Sequence, residues 1–511
     1  MNAYKFLGFV SLWLLAAQTD AVYVRLSNMD MMKCSYGERG SLTATCVNAT
    51  THYFKSTPYR FDHLDETLRC VNCTLQTLES GSFDISGNQI RNLDLSRSLI
   101  KTIRQKAFVG LIFLERLILA NNEIESIYPG TFIGVKKISY VNLENNTINI
   151  LSADGFLELI SLQELNLRNN HIANIATSAF NGLVKLKILD LSYNEISDVK
   201  GVFNNLTSLE VLDLSYNKIS NLKGEEFENL TSLLEVRFNH NFITSIPAEE
   251  FFNMSALRRL DLSFNSINKI MAGSFWGLYA LEDLDLSYNN IAEVPQKTMQ
   301  SLHNLQHLNI SNNVLSVFQT GLYSGLPQLR VLNFSNNAIE EVEVTGVFSM
   351  ENLDTLDFSR NNITDVDYVT LISRLPKISY LNLEDNLLPC DLEKDMEQYF
   401  EEDNFKFILY RNMQGAVKCV DKPIVKQNKH RNLSRKDSLV AAEGASGGSS
   451  AAHIWIFTLI TIILILIGAL YYIQMRTYRE LQSFSIKRTT SEVQLISSAD
   501  LEARDNDYLK E

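Results

Sequence analysis

The chain has no excess of basic residues and no motif of a known catalytic centre. Its 46 lysines and arginines are outnumbered by 59 aspartates and glutamates, so the formal net charge is −13. A nucleic-acid-binding domain usually carries a basic footprint, and this balance argues against such a partner. The 8 histidines are scattered, and no nucleophile-elbow, zinc-protease or phosphate-loop signature is present. We therefore predict a non-enzymatic protein that needs no cofactor and no metal.

An apolar stretch lies near the N-terminus. Phe6 to Ala17 follows Lys5 and is too short to span a bilayer, which is typical of a secretory signal over residues 1–21. The alternative is a buried N-terminal helix. A secreted chain can hold disulfide bonds and N-linked glycans.

A second apolar stretch lies near the C-terminus. Residues 454–473 are twenty residues without a charge, long enough for a helix across a hydrocarbon core of about 30 Å. Arg476 and Arg479 follow it, which favours a cytoplasmic C-terminus. A flexible juxtamembrane linker, 424–453, precedes the span and includes the small-residue run 443–452. The sequence predicts a type I single-pass protein of the plasma membrane with an extracellular N-terminal part.

The predicted cytoplasmic tail, residues 474–511, is too short for a kinase or a Toll-type signalling domain. Tyr478 begins a tyrosine-x-x-bulky pattern of the kind found in endocytic sorting signals. Tyr508 has acidic neighbours, as many tyrosine-kinase substrates do. The alternative for both is a solvated, disordered end.

Cysteine is scarce, with 6 in 511 residues. Four of them, Cys34, Cys46, Cys70 and Cys73, lie near the N-terminus and allow three connectivities. The local spacing favours a bond between Cys34 and Cys46. Cys70 and Cys73 form a lone CxxC motif, which supplies only half of a zinc site. We expect these two cysteines to fill core positions of the repeat. Zinc binding and redox chemistry are the alternatives.

The central pattern of the chain is LKILDLSYNEI, residues 186–196. Leu189 and Leu191 alternate with polar residues, which predicts a short strand with one buried face. Asn194 then turns the chain, because its amide can satisfy backbone groups left without partners in a tight buried bend. One such unit cannot bury its own apolar face and needs a copy on each side.

These copies recur with a nearly constant period of about 24 residues, which is within the range of known repeat architectures. The asparagine position is occupied by Asn122, Asn146, Asn170, Asn194, Asn217, Asn241, Asn265, Asn289, Asn313, Asn337, Asn361 and Asn386. Two degenerate units come earlier, with Ser98 and Cys73 at this position. A phenylalanine follows most of these positions by about ten residues: Phe83, Phe108, Phe132, Phe156, Phe180, Phe203, Phe227, Phe251 and Phe275.

This pattern resembles the leucine-rich repeat family in its typical form. The resemblance covers residues 64–388, about fourteen repeats. It implies an α/β solenoid, a horseshoe with a concave parallel β-sheet, closed by an N-terminal cap (22–63) and a C-terminal cap (389–423). The second cap resembles the family's cysteine-bearing cap with a short acidic helix. That cap usually has four cysteines and here has two, which implies a Cys390–Cys419 bond.

Ten N-x-S/T sequons all precede the predicted membrane span. They are Asn48, Asn72, Asn145, Asn205, Asn229, Asn253, Asn309, Asn333, Asn362 and Asn432. Asn205, Asn229 and Asn253 recur at the repeat period and are expected along one flank. Asn309 and Asn333 lie between strand leucines, where glycans would obstruct the concave face. The alternative is that crowding against the sheet leaves these two unmodified.

In the leucine-rich repeat family the concave face is the usual binding surface, and two sets of side chains are expected on it here. The ring residues just before successive asparagines are Tyr193, Tyr216, His240, Phe264 and Tyr288; the charged residues on neighbouring strands are Glu235, Arg237, Arg259 and Asp283. Parallel strands lie about 4.8 Å apart, so these charges can pair. Aromatic residues among charges are typical of interface hot spots. The alternative is that the rings belong to the repeat consensus and pack on one another.

The chain is similar to insect leucine-rich membrane proteins of the Toll-ectodomain, connectin and leucine-rich immune types. This resemblance implies a receptor or co-receptor that binds a protein or other macromolecule, with a role in innate immunity. The alternative is a homophilic or heterophilic cell-adhesion molecule. A cell-aggregation assay separates the two, and the sequence leaves homodimer and heterodimer formation open.

Overall fold

The computed structural model describes residues 34–36, 42–51, 64–84, 87–222, 227, 229–323, 325–344, 350–403 and 406–408. Most repeats contribute one three-residue strand whose central side chain is buried. In Ile188–Asp190, for example, Leu189 is fully buried between two more exposed neighbours. This follows from strand geometry, since successive side chains point to opposite faces.

These strands form one 17-stranded sheet among the described residues. Equivalent residues of consecutive repeats are paired in parallel, as in Leu189 with Leu212, and only the first two strands are antiparallel. The strands are β1 Cys34–Tyr36, β2 Thr43–Val47, β3 Thr67–Val71, β5 Asn92–Asp94, β7 Arg116–Ile118, β9 Tyr140–Asn142, β11 Glu164–Asn166, β13 Ile188–Asp190, β14 Val211–Asp213, β15 Glu235–Arg237, β17 Arg259–Asp261, β19 Asp283–Asp285, β20 His307–Asn309, β22 Val331–Asn333, β24 Thr355–Asp357, β25 Tyr380–Asn382 and β26 Lys406–Ile408. The predicted solenoid with a parallel sheet is therefore confirmed.

Each repeat forms one coil, and the part of a coil that leads from one strand of the sheet to the next is its return segment. The return segments contain short parallel strands and turns more often than helices. Their strands are β4 Thr77–Leu78, β6 Thr102–Ile103, β8 Ser126–Ile127, β10 Ile150–Leu151, β12 Asn174–Ile175, β16 Ser245–Ile246, β18 Lys269–Ile270, β21 Val317–Gln319 and β23 Glu341–Glu343. The helices are α1 Thr320–Tyr323, α2 Tyr368–Ser373 and α3 Cys390–Asp403. Within the described residues, the helices predicted for an α/β solenoid are thus confined to the last coils. The helix α3, which begins at Cys390, is the acidic helix expected in the C-terminal cap.

A ladder of buried asparagines links consecutive coils. The Nδ2 of Asn194 donates to the carbonyls of Leu167, Leu191 and Ser192 at 3.1, 3.0 and 3.2 Å. Its Oδ1 accepts from the backbone N–H of Ile172 at 3.0 Å. One side chain therefore satisfies backbone groups of its own coil and of the preceding coil, which confirms the role predicted for this position.

A spine of phenylalanine rings fills the core. From Phe83 to Phe227 the rings of successive coils are stacked, with centroids 5.9 to 6.4 Å apart. Met299 and Tyr323 occupy this place further on and are almost fully buried. Phe318 stacks on Tyr323 at 5.5 Å, and burial raises the pKa of the Tyr323 phenol above its ordinary range.

The cysteines of the N-terminal part form two disulfide bonds. Cys34 is joined to Cys46, as the local spacing predicted, across the antiparallel pair β1–β2. Cys70 is joined to Cys73, so these two buried residues do more than fill core positions. Among the described residues, no group of three or more histidine, cysteine or acidic side chains could hold a metal ion.

Several predictions concern residues outside the described ranges. They include the signal sequence (1–21), the linker (424–453), the membrane span (454–473), the tail with Tyr478 and Tyr508, and the sequon at Asn432. Cys390 is disulfide-bonded, and its expected partner, Cys419, also lies outside them. In the described part of the chain, no helix has the length and apolarity needed to cross a membrane.

Candidate ligand-binding face

Five aromatic side chains form a continuous stack just after the C-terminal ends of five adjacent strands, β13, β14, β15, β17 and β19. We call this stack the ring ladder. Its members are Tyr193, Tyr216, His240, Phe264 and Tyr288. Successive centroids are 4.0, 4.1, 4.2 and 4.1 Å apart, and neighbouring planes are tilted by 10 to 14°. The rings of the buried phenylalanines are about 6 Å apart from one coil to the next, which is wider than the spacing in the ring ladder. Adjacent coils are therefore closer together on the side of the sheet, and this is the concave side.

The backbone of every ring-ladder residue is left-handed, with φ between +51° and +56°. This conformation is uncommon for bulky side chains and is tolerated much better by asparagine. Repeats before and after the ring ladder do have asparagine there, at Asn121, Asn145, Asn169, Asn312 and Asn336, all with positive φ. Five consecutive rings thus occupy a position that does not suit their backbone preference.

The first ring is covered by a cation. The guanidinium carbon of Arg168 lies 4.2 Å from the centre of the Tyr193 ring, and its Nη1 donates to the hydroxyl of Ser192 at 2.9 Å. A hydrogen bond with the Tyr193 side chain raises the pKa of Tyr216. The exposed fraction of the ring-ladder residues rises from 37% at Tyr193 to 48% at Tyr288.

A row of alternating charges, which we call the ion-pair row, runs across the strands beside the ring ladder. Arg237 pairs with Glu235 and with Asp213, the latter at 3.0 Å. Arg259 pairs with Glu235 at 3.5 Å and with Asp283 at 3.4 Å. The strand register brings these residues together, since Glu235, Arg259 and Asp283 are direct partners. The cross-strand pairing of charges predicted from the sequence is confirmed.

His307 extends the ion-pair row by one strand, because its Nδ1 contacts the Asp283 carboxylate. Neither this residue nor Arg168 was predicted from the sequence. Their positions were nevertheless available, since His307 follows Asp283 by one repeat period and Arg168 precedes Ser192 by the same interval. Applying the repeat period to every charged residue would have found both contacts.

The aspartates between the strand leucines have a structural role. In Asp190, Asp213, Asp261 and Asp285 the Oδ1 accepts from the backbone N–H and the hydroxyl of the serine two residues later, at 2.8 to 2.9 Å and 2.6 Å. In two of these aspartates the second oxygen accepts a hydrogen bond from a neighbouring strand. Asp213 uses it for Arg237 and Asp285 uses it for the Nδ2 of Asn309, at 3.1 Å.

A shallow depression of about 440 Å³ lies on β15, β17, β19, β20 and β22. The ion-pair row forms part of its lining, together with Asp261, Asp285, Asn309 and Asn333. Burial raises the pKa of Asp261, helped by the nearby charge of Asp285, while the hydrogen bonds from Ser263 act in the opposite direction. Glycans on Asn309 and Asn333 would stand at the C-terminal rim of this depression.

Other predicted glycan sites lie away from this face. Asn205 and Asn229 are exposed and Asn253 is half-buried, each close to the end of a return segment. The Nδ2 of Asn205 donates to the Oδ1 of Asn181 at 2.8 Å. Of the remaining sequons, Asn72 and Asn362 are exposed, while Asn48 and Asn145 are half-buried. Whether any of them carries a glycan stays a prediction.

Two kinds of family model match the chain. One, described as leucine rich repeat, matches residues 88–148, 112–172, 160–201, 233–291, 280–339 and 327–388. The other, described as leucine rich repeats (2 copies), matches residues 184–229. No curated protein sequence matches significantly.

Solved structures with the same fold include Toll in its complex with Spatzle from Drosophila. The glycosylated form has 21% identity and a TM-score of 0.55, covering 67% of this chain and 49% of that chain. A second structure of the complex has 19% identity and a TM-score of 0.54, covering 68% and 54%. An internalin from Listeria monocytogenes has 22% identity and a TM-score of 0.45, covering 64% and 87%. The match thus spans about half of the Toll chain, and at these identities it shows a common fold.

The repeat models together cover more than half of the chain, and their matched ranges coincide with the described coils. The asparagine ladder, the phenylalanine spine and the parallel sheet are the physical counterparts of that match. This chain belongs to the leucine-rich repeat family.

Proposed function

We propose that this chain is a cell-surface receptor or co-receptor that binds a protein ligand on its concave face, between the repeats centred on Asn194 and Asn289. The observation that supports this most directly is the ring ladder. Strained backbone conformations persist where the surrounding structure enforces them, and they concentrate at functional sites. Here left-handed rings replace the asparagines of neighbouring repeats over one continuous stretch beside the ion-pair row.

The chemistry of the face favours a protein over a nucleic acid. Each arginine of the ion-pair row already pairs with carboxylates, and Asp261 and Asp285 add further acidic groups. A phosphate backbone would meet net negative charge there, whereas nucleic-acid affinity depends on neutralising phosphates with basic side chains. A protein ligand carries side chains of both signs, so it can pair with the arginines and with the carboxylates of this face. Its apolar side chains can cover the ring ladder.

The ring ladder should contribute strongly to ligand affinity. Asparagine is the matched substitution, because it occupies the same left-handed position in other repeats and leaves the backbone undisturbed. We expect Tyr216→Asn and Phe264→Asn to weaken binding by about 2 kcal/mol each, roughly 30-fold, if both act as anchors. The measurement is recovery of cell-surface partners by the full chain, followed by titration of the recovered partner.

Tyr128→Ala is the control, since Tyr128 is 51% exposed and directly follows β8, outside the concave sheet. A partner recovered by wild type and by this control, but lost with the double variant at an unchanged melting temperature, supports the proposal. Equal recovery by all three would assign the rings to coil packing alone. If cells that display the chain aggregate with one another, the ligand is a second copy and adhesion is the function.

The location at the cell surface also belongs to this proposal. The export signal at 1–21 and the span at 454–473 would place every sequon outside the cell. We expect simultaneous Asn205→Gln, Asn229→Gln and Asn253→Gln substitutions to lower the apparent mass by three glycans and to preserve folding, because the buried leucines are untouched. Gel mobility before and after glycosidase treatment measures this, and a wild-type chain without any shift would contradict export.

A further inference from the structure

Three exposed rings lie in the same two coils as one of the predicted glycan sites, Asn253; we call them the aromatic patch. Phe252, Trp276 and Tyr279 are 48%, 46% and 48% exposed. The rings of Phe252 and Trp276 meet edge-to-face with centroids 5.8 Å apart. These residues lie in the return segments, away from the ring ladder and the depression.

Gly277 brings the two coils of the aromatic patch into close backbone contact, as Gly110 and Gly182 do in earlier repeats. A Cβ at this position would lie 2.2 Å from the carbonyl oxygen of Phe252 and 2.8 Å from its Cα, and its φ is +95°. Only glycine is compatible with both the contact and this conformation. The coil containing Trp276 and Tyr279 therefore packs directly against the backbone that leads into Asn253.

Asn253 lies next to the aromatic patch in the repeat register. It follows Phe252 in the chain, and one repeat later its position corresponds to Gly277, which has Trp276 immediately before it and Tyr279 two residues after it. The sequon is completed by Ser255, which is exposed. A sugar attached to Asn253 would meet no side chain at Gly277 in the next coil, and Phe252 and Trp276 are the adjacent exposed rings.

We propose that the aromatic patch packs against the N-linked glycan of Asn253, and that the first sugars of this glycan stack on Trp276 and Phe252. One face of a pyranose ring presents C–H groups, which suit the negative face of an aromatic ring, while its hydroxyls remain in water. Exposed apolar patches usually mark an interaction site, and a glycan rooted beside this one would exclude a protein partner. The proposal rests on the proposed export of the repeats.

Trp276 supplies the probe. The chain has 3 tryptophans, and Trp13 lies in the predicted signal sequence, so subtracting the signal of Trp276→Phe isolates Trp276 from Trp455. We expect acrylamide quenching of Trp276 in the full chain to rise roughly twofold in Asn253→Gln, because the ring loses its cover. Ser255→Ala should do the same while keeping Asn253 itself in place.

Asn205→Gln is the matched control. Asn205 belongs to the same column of sequons but contacts Asn181 and has no exposed ring beside it among the described residues, so its loss should leave Trp276 quenching unchanged. Quenching that is equal in wild type, Asn253→Gln and Ser255→Ala, with a glycan shown at Asn253 by mass spectrometry, overturns the proposal. A glycan at Asn205 but none at Asn253 also overturns it and leaves export intact. A chain without glycans at any sequon contradicts export itself.

Discussion

Asn217→Asp is expected to destabilise the repeats by roughly 3 kcal/mol or more, because it removes three buried hydrogen bonds of about 1 kcal/mol each and buries a carboxylate. The Nδ2 of Asn217 donates to the carbonyls of Leu191, Leu214 and Ser215 at 2.9, 3.1 and 3.1 Å. Each of the three carbonyls keeps one other donor, namely Asn194, Asn241 or the Tyr193 N–H. Aspartate has nearly the same shape and keeps the oxygen that accepts from the Ile196 N–H. The substitution therefore removes the donor, and it places a carboxylate oxygen against carbonyl oxygens.

Denaturant unfolding of the full chain followed by circular dichroism measures this loss. Asn221→Asp is the control, since Asn221 is exposed and its side chain donates to the hydroxyl of Ser220. Surface substitutions of this kind usually change stability by less than about 0.5 kcal/mol. A similar unfolding midpoint for both variants would mean that the buried amides do not hold the coils together.

Phe180→Ala is expected to cost roughly 3–5 kcal/mol, because the vacated volume in a packed core cannot fully collapse. Phe180 is 2% exposed, and its ring stacks on Phe156 at 6.1 Å and on Phe203 at 6.4 Å. Each coil contacts only its neighbours, so the damage should spread along the array from this point. Hydrogen exchange should accelerate first in the coil that contains Phe180 and in the neighbouring coils that contain Phe156 and Phe203.

The control for this substitution is Phe242→Ala, which removes the same ring from a site that is 59% exposed. Its melting curve should overlay that of wild type. If Phe180→Ala does so as well, the spine is not the core of the repeats, and the phase assigned to the repeat unit is wrong.

Much of the fold was predictable because a repeat multiplies a weak local signal. One short strand with a following asparagine predicts little, but its recurrence at a nearly constant period identifies which side chains face inward. The asparagine ladder and the phenylalanine spine were therefore assigned correctly. The pairing of Cys70 with Cys73 was not predicted, because the repeat pattern assigned each of them a core position by itself.

The candidate site was predictable in its membership and not in its geometry. The stripe of rings and the cross-strand charges follow from the repeat register, so Tyr216, Arg237 and Arg259 were expected on one face. The stacking distances of about 4 Å and the contact of Arg168 with Tyr193 depend on how closely adjacent coils approach. That approach is set by buried contacts throughout the coil, which local sequence does not specify.

The sequence by itself determined the repeat period, the inward-facing residues and the identity of the groups on the concave face. These depend on which side of a strand a residue occupies, and that is a local property with a period of two. Only the tertiary structure decided that the ring-ladder backbone is left-handed, that a depression lies beside the ion-pair row, and that Gly277 brings Trp276 against the coil of Asn253. Each of these features arises from contacts between residues in different coils, and their geometry is set by the packing of the whole stack.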